Sequence, residues 1–378
     1  MFFTRRHIKE GKHYRHALQR LINYKRDILS PAELNDLTDL LAETDAALKD
    51  GTRTKIAEVQ EKIDKAVGKI APAPPDAGLR ENVEVFLVAI IVAAGVRAYF
   101  LQPFKIPTGS MQPTLFGIVG HPTDTPPPNI VKRAFDLAWL GRNYIDLAAA
   151  DDETVTSMKE KTYLNFFTFT TIQTTKNSYT LFAPKDTLTS AFRVSDGQDT
   201  RYQFPPPPSS YSKGQAIARG YIDTGDQVFV DKASYNFAPP SRGNVIVFKT
   251  TGIAYIQKDL PPGESQHYIK RLAGLPGDTL RIADRMLYIN GKIPDTWAFQ
   301  RVMSGKNGYN GYSSPGPDHL LGTAQDTFEV PAKHYFALGD NSFNSSDSRY
   351  WGPLPQHNLA GRGLFVYWPF SSRWGLIH

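Results

Sequence analysis

Three hydrophobic patterns follow one another along the chain. In the first, apolar residues recur at helical spacing. Leu34, Leu37, Leu41 and Leu48 fall on one face, and Ile56, Val59, Ile63, Val67 and Ile70 repeat the pattern. Ser30-Pro31-Ala32-Glu33 is a helix start: Ser30 caps, Pro31 takes the first helical position and Glu33 reaches back. Gly51 suits a helix end. Two amphipathic helices joined by "KDGT" predict a helical hairpin within residues 1–70. A partner-binding coiled coil and a self-packed hairpin fit this pattern equally. The Pro/Ala-rich "APAPPDAG" marks a linker, placed at 71–82. The first 26 residues are rich in Lys and Arg without an apolar core region, so they do not read as a cleavable signal peptide.

The second pattern is an unbroken apolar run, Val83–Phe104, in which only Glu84 and Arg97 are charged. As a helix it extends roughly 33 Å, enough for a hydrocarbon core of about 30 Å. It therefore predicts one transmembrane helix over 83–104. Lys62, Lys65, Lys69 and Arg80 lie upstream, and only Lys105 lies close downstream. Positive residues favour the cytoplasmic side, which places the hairpin in the cytoplasm and residues 105–378 outside.

The third pattern has period two. Residues 227–232, 244–250, 268–274, 279–292, 334–340 and 363–368 read as strands, and Asn290-Gly291 as a hairpin turn. Strands do not alternate with helices here, so the expected class is mainly β with antiparallel sheets. Residues 117–219 stand apart. Two proline tracts bracket a module with a predicted helix around 129–149 and a Thr- and aromatic-rich β-like stretch at 162–183.

Composition narrows the chemistry. Cysteine is absent, which removes thiol catalysis, disulfides and cysteine–zinc sites. The net charge of +6 is mildly basic. No basic run is interleaved with aromatics as in a nucleic-acid motif, so no nucleic-acid partner is expected. No metal or cofactor is implied.

Just beyond the apolar run, "FKIPTGSMQPTL" holds Ser110 stiffly between Pro107 and Pro113. A serine hydroxyl attacks well only with a base beside it. None of the nine histidines lies in a motif that sets a triad. A lysine can serve instead if burial keeps it neutral. Lys270 alternates with the apolar Tyr268 and Leu272 in "HYIKRLAGLPGDTL". A solvent-facing strand lysine gives the same pattern, so Lys270 is weak evidence by itself. In "GDNSFNSSDSRYWGPLP" the spacing of Asp347 and Arg349 resembles an internal buttress more than a solvated loop.

Four blocks, "PTGSMQPTL", "GDQVFVDK", "YIKRLAGLPGD" and "GDNSFNSSDSRYWG", occur in the order of the bacterial type I signal peptidases, behind a membrane segment. The chain closely resembles that family over Val83–Phe116 and Gly220–His378. The helical hairpin and the 117–219 module fall outside the resemblance.

The resemblance implies a mainly β peptidase domain (105–378, interrupted by 117–219) anchored in the bacterial cytoplasmic membrane, with the catalytic part outside. It implies a serine endopeptidase cutting signal peptides from preproteins at Ala-X-Ala-type sites. The implied partners are the preproteins, the lipid bilayer and the secretion translocon. Ser110 is the implied nucleophile and Lys270 the general base. Ser345 would orient the lysine, and Asp347 and Arg349 would support the site. The Ser110 N–H and Thr108, where many relatives carry serine, would form the oxyanion hole. Phe104, Ile106, Pro107, Met111, Leu115, Tyr268 and Ile269 would line the pockets for small substrate residues. The long insertion leaves open a lid, a selector surface, a docking site or a tolerated surface insertion. A specialised maturation peptidase and an inactive assembly protein on the same fold are the alternatives.

Overall fold

The structure, a computed structural model, describes residues 6–70, 77–163, 167–195, 209–258, 261 and 264–378. It divides into two units, Met1–Ile91 and Val92–His378.

The first unit holds three packed helices, α1 (Arg6–Lys25), α2 (Pro31–Asp50) and α3 (Arg53–Ile70), where the periodicity predicts a hairpin of two. Leu18 and Ile22 of α1 join Leu37, Ile56, Val59 and Ile63 in one apolar core. They are one turn apart among basic residues, a pattern too sparse to announce an amphipathic helix. The capping box on α2 forms: Glu33 N–H donates to Ser30 Oγ (3.3 Å), and Ser30 N–H donates to the Glu33 carboxylate (2.9 Å). Gly51 closes α2 in the left-handed region, at φ 74°.

Helix α4 (Ala77–Tyr99) differs at both ends from the expected 83–104 span. It begins inside the expected linker, of which residues 71–76 lie outside the described residues. It stops at Tyr99 because Leu101–Lys105 forms strand β1, paired with a later strand. An apolar run does not distinguish the end of a spanning helix from a strand that follows it. Large side chains on α4, such as Phe86 and Ile91, are exposed. By length and composition Gly78–Tyr99 can cross a membrane.

After β1 come the strands of the inserted module. They are β2 (Val119–Pro122), β3 (Arg142–Ala148), β4 (Glu153–Tyr163), β5 (Phe167–Thr174), β6 (Ser178–Leu181), β7 (Ser210–Tyr211) and β8 (Ala216–Asp223), with α5 (Ile130–Leu140) between β2 and β3. They form two antiparallel sheets, β2-β8-β3 and β6-β5-β4-β7, around a core that includes Ile145, Ile172, Leu188 and Ile222. The helix expected over 129–149 is half that length. Gly141, at φ 65°, ends α5, and the next seven residues pair with β8. Most of the second proline tract, 204–208, lies outside the described residues.

The remaining strands are β9 (Gln227–Asp231), β10 (Val245–Lys249), β11 (His267–Gly274), β12 (Thr279–Ala283), β13 (Met286–Ile289), β14 (Phe328–Glu329), β15 (His334–Leu338), β16 (Leu354–Pro355), β17 (Leu359–Trp368) and β18 (Gly375–Leu376). The main sheet has the order β1-β9-β17-β10-β11-β15-β16, and β18 pairs with β17. The paired strands are antiparallel, as the missing strand–helix alternation predicts. The run expected as one strand over 279–292 folds back at Asp284-Arg285, both at positive φ. Asn290-Gly291 makes a second tight turn, between the bridged Ile289 and Lys292.

The module enters and leaves through a hydrogen-bonded neck. Asp226 N–H donates to the Phe116 carbonyl (2.8 Å), and Phe116 N–H donates to Asp226 Oδ2 (2.8 Å). Because its two ends meet, the insertion leaves the pairing of β1 with β9 intact.

Candidate active site

Ser110 sits in a single 3-10 turn, Gly109–Met111, after β1. Its loop is pinned from both sides. Ile118 N–H donates to the Pro107 carbonyl (3.1 Å), and Asn341 N–H donates to the Ser110 carbonyl (3.0 Å). Asn341 Nδ2 also donates to the Gly109 carbonyl (3.1 Å). Gly117 lies so close to Thr108 that a Cβ there would stand 2.3 Å from the Thr108 carbonyl carbon. Only glycine allows that approach.

Lys270 lies in the middle of β11, opposite Ile246 of β10. Its side chain is 4% exposed, and its Nζ donates to Ser110 Oγ at 2.8 Å and to the Ile269 carbonyl at 3.1 Å. The Nζ also lies 5.5 Å from the centre of the Tyr268 ring. Burial pulls the lysine pKa down to about 8; Asp347 opposes the shift, Arg349 adds to it, and Asp340 opposes it. The serine and the lysine, 160 residues apart in sequence, therefore share a hydrogen bond in a site whose burial weakens the lysine's hold on its proton.

Asp347 and Arg349 are both fully buried and joined by two hydrogen bonds, at 2.8 and 2.7 Å. Gly339 N–H donates to Asp347, and Arg349 donates to the carbonyls of Ser313 and Ser342. The pair thus ties the loop after β15 into one body behind Lys270. Ser345 departs from expectation. Its hydroxyl makes no hydrogen bond to Lys270, whose ammonium is taken up by Ser110 and the Ile269 carbonyl. Ser345 Oγ is buried without a partner among the described residues, close against Gly339.

The residues expected to line the pockets do not all meet. Ile106, Met111, Leu115 and Ile269 share one buried cluster, with Phe104 packed against it. Tyr268 turns to the other face of β11 and packs with the Phe248 cluster. Pro107 and Thr108 are exposed. Sequence reasoning missed Asn341, and it missed Arg271, whose guanidinium is fully buried against Asp340. The dipeptide Lys270-Arg271 carried a signal: two adjacent cations in an apolar strand point to opposite faces, and a buried one needs a carboxylate.

Topology leaves an opening beside these groups. Among the described residues β1 pairs only with β9, which makes it an edge strand. β15 joins β11 only from Arg271 onward, so the edge of β11 over His267–Lys270 that faces away from β10 carries no strand among the described residues. Phe104 and His267 touch, with ring centroids 5.1 Å apart, so the two unpaired edges lie side by side.

A family model described as signal peptidase, peptidase S26, matches residues 218–368. A signal peptidase I of Leptolyngbya laminosa is 34% identical over 150 residues, covering 40% of this chain and 64% of that protein. A signal peptidase I of Bacillus caldolyticus is 31% identical over 155 residues, covering 40% of this chain and 74% of that protein. The chain belongs to the signal peptidase I family. A solved signal peptidase I of Enterococcus faecalis V583 is 29% identical, covering 33% of this chain and 97% of that chain at a TM-score of 0.23. The chain spans 64% and 61% of the length of the first two curated signal peptidase relatives. The family model begins inside β8, so the module up to that point lies outside the matched residues.

Proposed function

We propose that this protein is a membrane-anchored serine endopeptidase that removes signal peptides from exported preproteins. The observation that carries the reading is the 2.8 Å hydrogen bond between Lys270 Nζ and Ser110 Oγ, with the lysine buried and its pKa near 8. Helix α4 anchors the enzyme in the membrane, with the helical bundle in the cytoplasm and the catalytic part outside. The bilayer holds the enzyme, and the secretion translocon delivers its substrates.

A preprotein segment enters as an extended strand between the unpaired edges of β1 and β11, where backbone groups supply its hydrogen bonds. Small side chains one and three places before the cut face Phe104, Ile106, Met111, Leu115 and Ile269. Neutral Lys270 takes the proton from Ser110 Oγ as that oxygen attacks the scissile carbonyl carbon. The oxyanion meets the Ser110 N–H and the Thr108 hydroxyl, each such donor being worth about 3–4 kcal/mol. Collapse breaks the C–N bond, and Lys270 passes its proton to the leaving amine. A water, deprotonated by Lys270, then frees the acyl chain. Asp347 and Arg349 keep the loop behind Lys270 rigid.

Cleavage of a preprotein with an Ala-X-Ala site, by membranes carrying each variant, tests the reading. Ser110→Ala and Lys270→Met are expected to abolish cleavage while the proteins stay folded. Full activity in Lys270→Met would remove the lysine from the mechanism. Failure of an active-site-directed acylating probe to label Ser110 would favour an inactive assembly protein.

A further inference from the structure

A groove of about 480 Å³ opens where the inserted module meets the end of the main sheet. Its floor is Lys105 of β1, Gln227 of β9 and Trp368 of β17, neighbours in the strand register. Its walls are Leu137 of α5, Phe167 of β5 and Phe182, the residue after β6. The two phenylalanine rings lie 6.2 Å apart, and Phe182 also packs on Phe169. The groove is pre-formed. Trp368 Nε1 donates to the Ala138 carbonyl (2.8 Å), and Phe370 N–H donates to the Trp139 carbonyl (2.9 Å), which fastens α5 to the sheet. A Cβ on Gly141 would strike the Trp368 ring at 2.7 Å, so the helix end is shaped to meet that tryptophan.

The position of Lys105 says what the groove faces. Along β1, Phe104 and Ile106 point into the apolar cluster that the proposed substrate strand meets, and Lys105 between them points to the opposite face. A strand laid against this edge obeys the same alternation. If its residues one and three before the cut face Phe104 and Ile106, the residue between them stands opposite Lys105 and faces the groove.

We propose that the inserted module builds a specificity subsite for the middle residue of the Ala-X-Ala site, accepting a bulky apolar or aromatic side chain between Leu137, Phe167 and Phe182. This deepens the signal-peptidase reading and rests on it. The module is then a selector: it leaves the bond-breaking groups alone and walls the face of β1 that would otherwise be open to water.

The test is a set of preproteins identical except at X, with Phe, Leu, Gly and Lys, assayed with the full-length enzyme in membranes. Wild type is expected to show kcat/KM at least tenfold higher for Phe and Leu than for Gly and Lys, in line with what an apolar pocket discriminates. Phe167→Ala and Phe182→Ala are expected to bring the Phe-to-Gly ratio towards one. Phe167 is half exposed, so its truncation leaves the module's core intact; Phe182→Leu, which keeps an apolar wall, is expected to retain most of the ratio. Equal rates for the four substrates in wild type, or an unchanged ratio in both alanine variants, would overturn the subsite. Absence of cleavage of all four substrates by wild type would overturn the peptidase reading and the subsite with it.

Discussion

Arg271, next to Lys270 in sequence, forms a fully buried ion pair with Asp340, with the Arg271 Nε and Nη2 donating to the carboxylate at 2.7 and 2.6 Å. Asp340 also accepts from the Thr114 hydroxyl, four residues after Ser110, so one carboxylate connects the Lys270 strand with the Ser110 loop. Arg271 Nη1 donates to the Gly243 carbonyl (2.6 Å). Removing one partner strands a charge that water cannot reach. Asp340→Ala is expected to lower unfolding free energy by about 3–5 kcal/mol, measured by urea denaturation.

The role proposed for Lys270 makes activity depend on pH. Its pKa near 8 lies below the ordinary 10.5, and only the neutral amine takes a proton. Cleavage is therefore expected to rise with pH and reach half its plateau near pH 8, read from kcat/KM against pH. Stability carries the same signature. Between about 8 and 10.5 the unfolded lysine holds a proton that the folded one has released, so stability rises with pH across that window. Below it both states are protonated and the contribution is level. Lys270→Met is expected to abolish this rise and to be no less stable than wild type at pH 7, because it removes a buried cation.

Ser345 separates stability from function. Its hydroxyl is buried and unpartnered. Replacing an unsatisfied hydroxyl by hydrogen costs little, and a native structure retains such a group for a reason outside its own stability. Ser345→Ala is expected to leave the melting temperature unchanged or slightly raised, and to lower kcat if the hydroxyl orients Lys270 in the proposed reaction. Unchanged kcat would show that Ser345 has no part in the reaction.

Thr108 tests the oxyanion assignment. Thr108→Val keeps the shape and removes the hydroxyl. A lost donor at an oxyanion is worth about 10²–10³ in kcat. Thr108→Val is expected to fall by that factor with KM little changed, and Thr108→Ser is expected to restore the rate. Because Thr108 is exposed, thermal unfolding of both variants is expected to match wild type.

Local physics made much of this protein legible before any coordinates. Period-two strands, the capping box at Ser30–Glu33 and the apolar run before Phe104 follow from rules that act within a few residues. The motif around Ser110 and the block around Lys270 also identified the family. Boundaries were harder to read where two elements compete for the same residues. Leu101 and Phe104 extend the apolar run, yet Pro103 does not suit a helix interior and pairing with β9 makes the segment a strand. The Asp284-Arg285 turn has no glycine or proline to announce it, and both residues adopt positive φ because the returning strand pairs there. Leu18 and Ile22 seemed too few to make a buried face until α2 and α3 covered them.

What the chain determined by itself was the kind of chemistry: no thiol, one stiffly held serine, and a lysine among apolar neighbours. Only the tertiary structure decided that the two meet, since the 2.8 Å contact joins residues from separate elements. It also decided that Lys270 is buried enough to lose its proton near pH 8, that Tyr268 turns away from the apolar pocket, and that the module's aromatic residues stand over the outer face of β1. These depend on which surfaces pack together across the fold, and neither spacing nor periodicity along the chain carries that information.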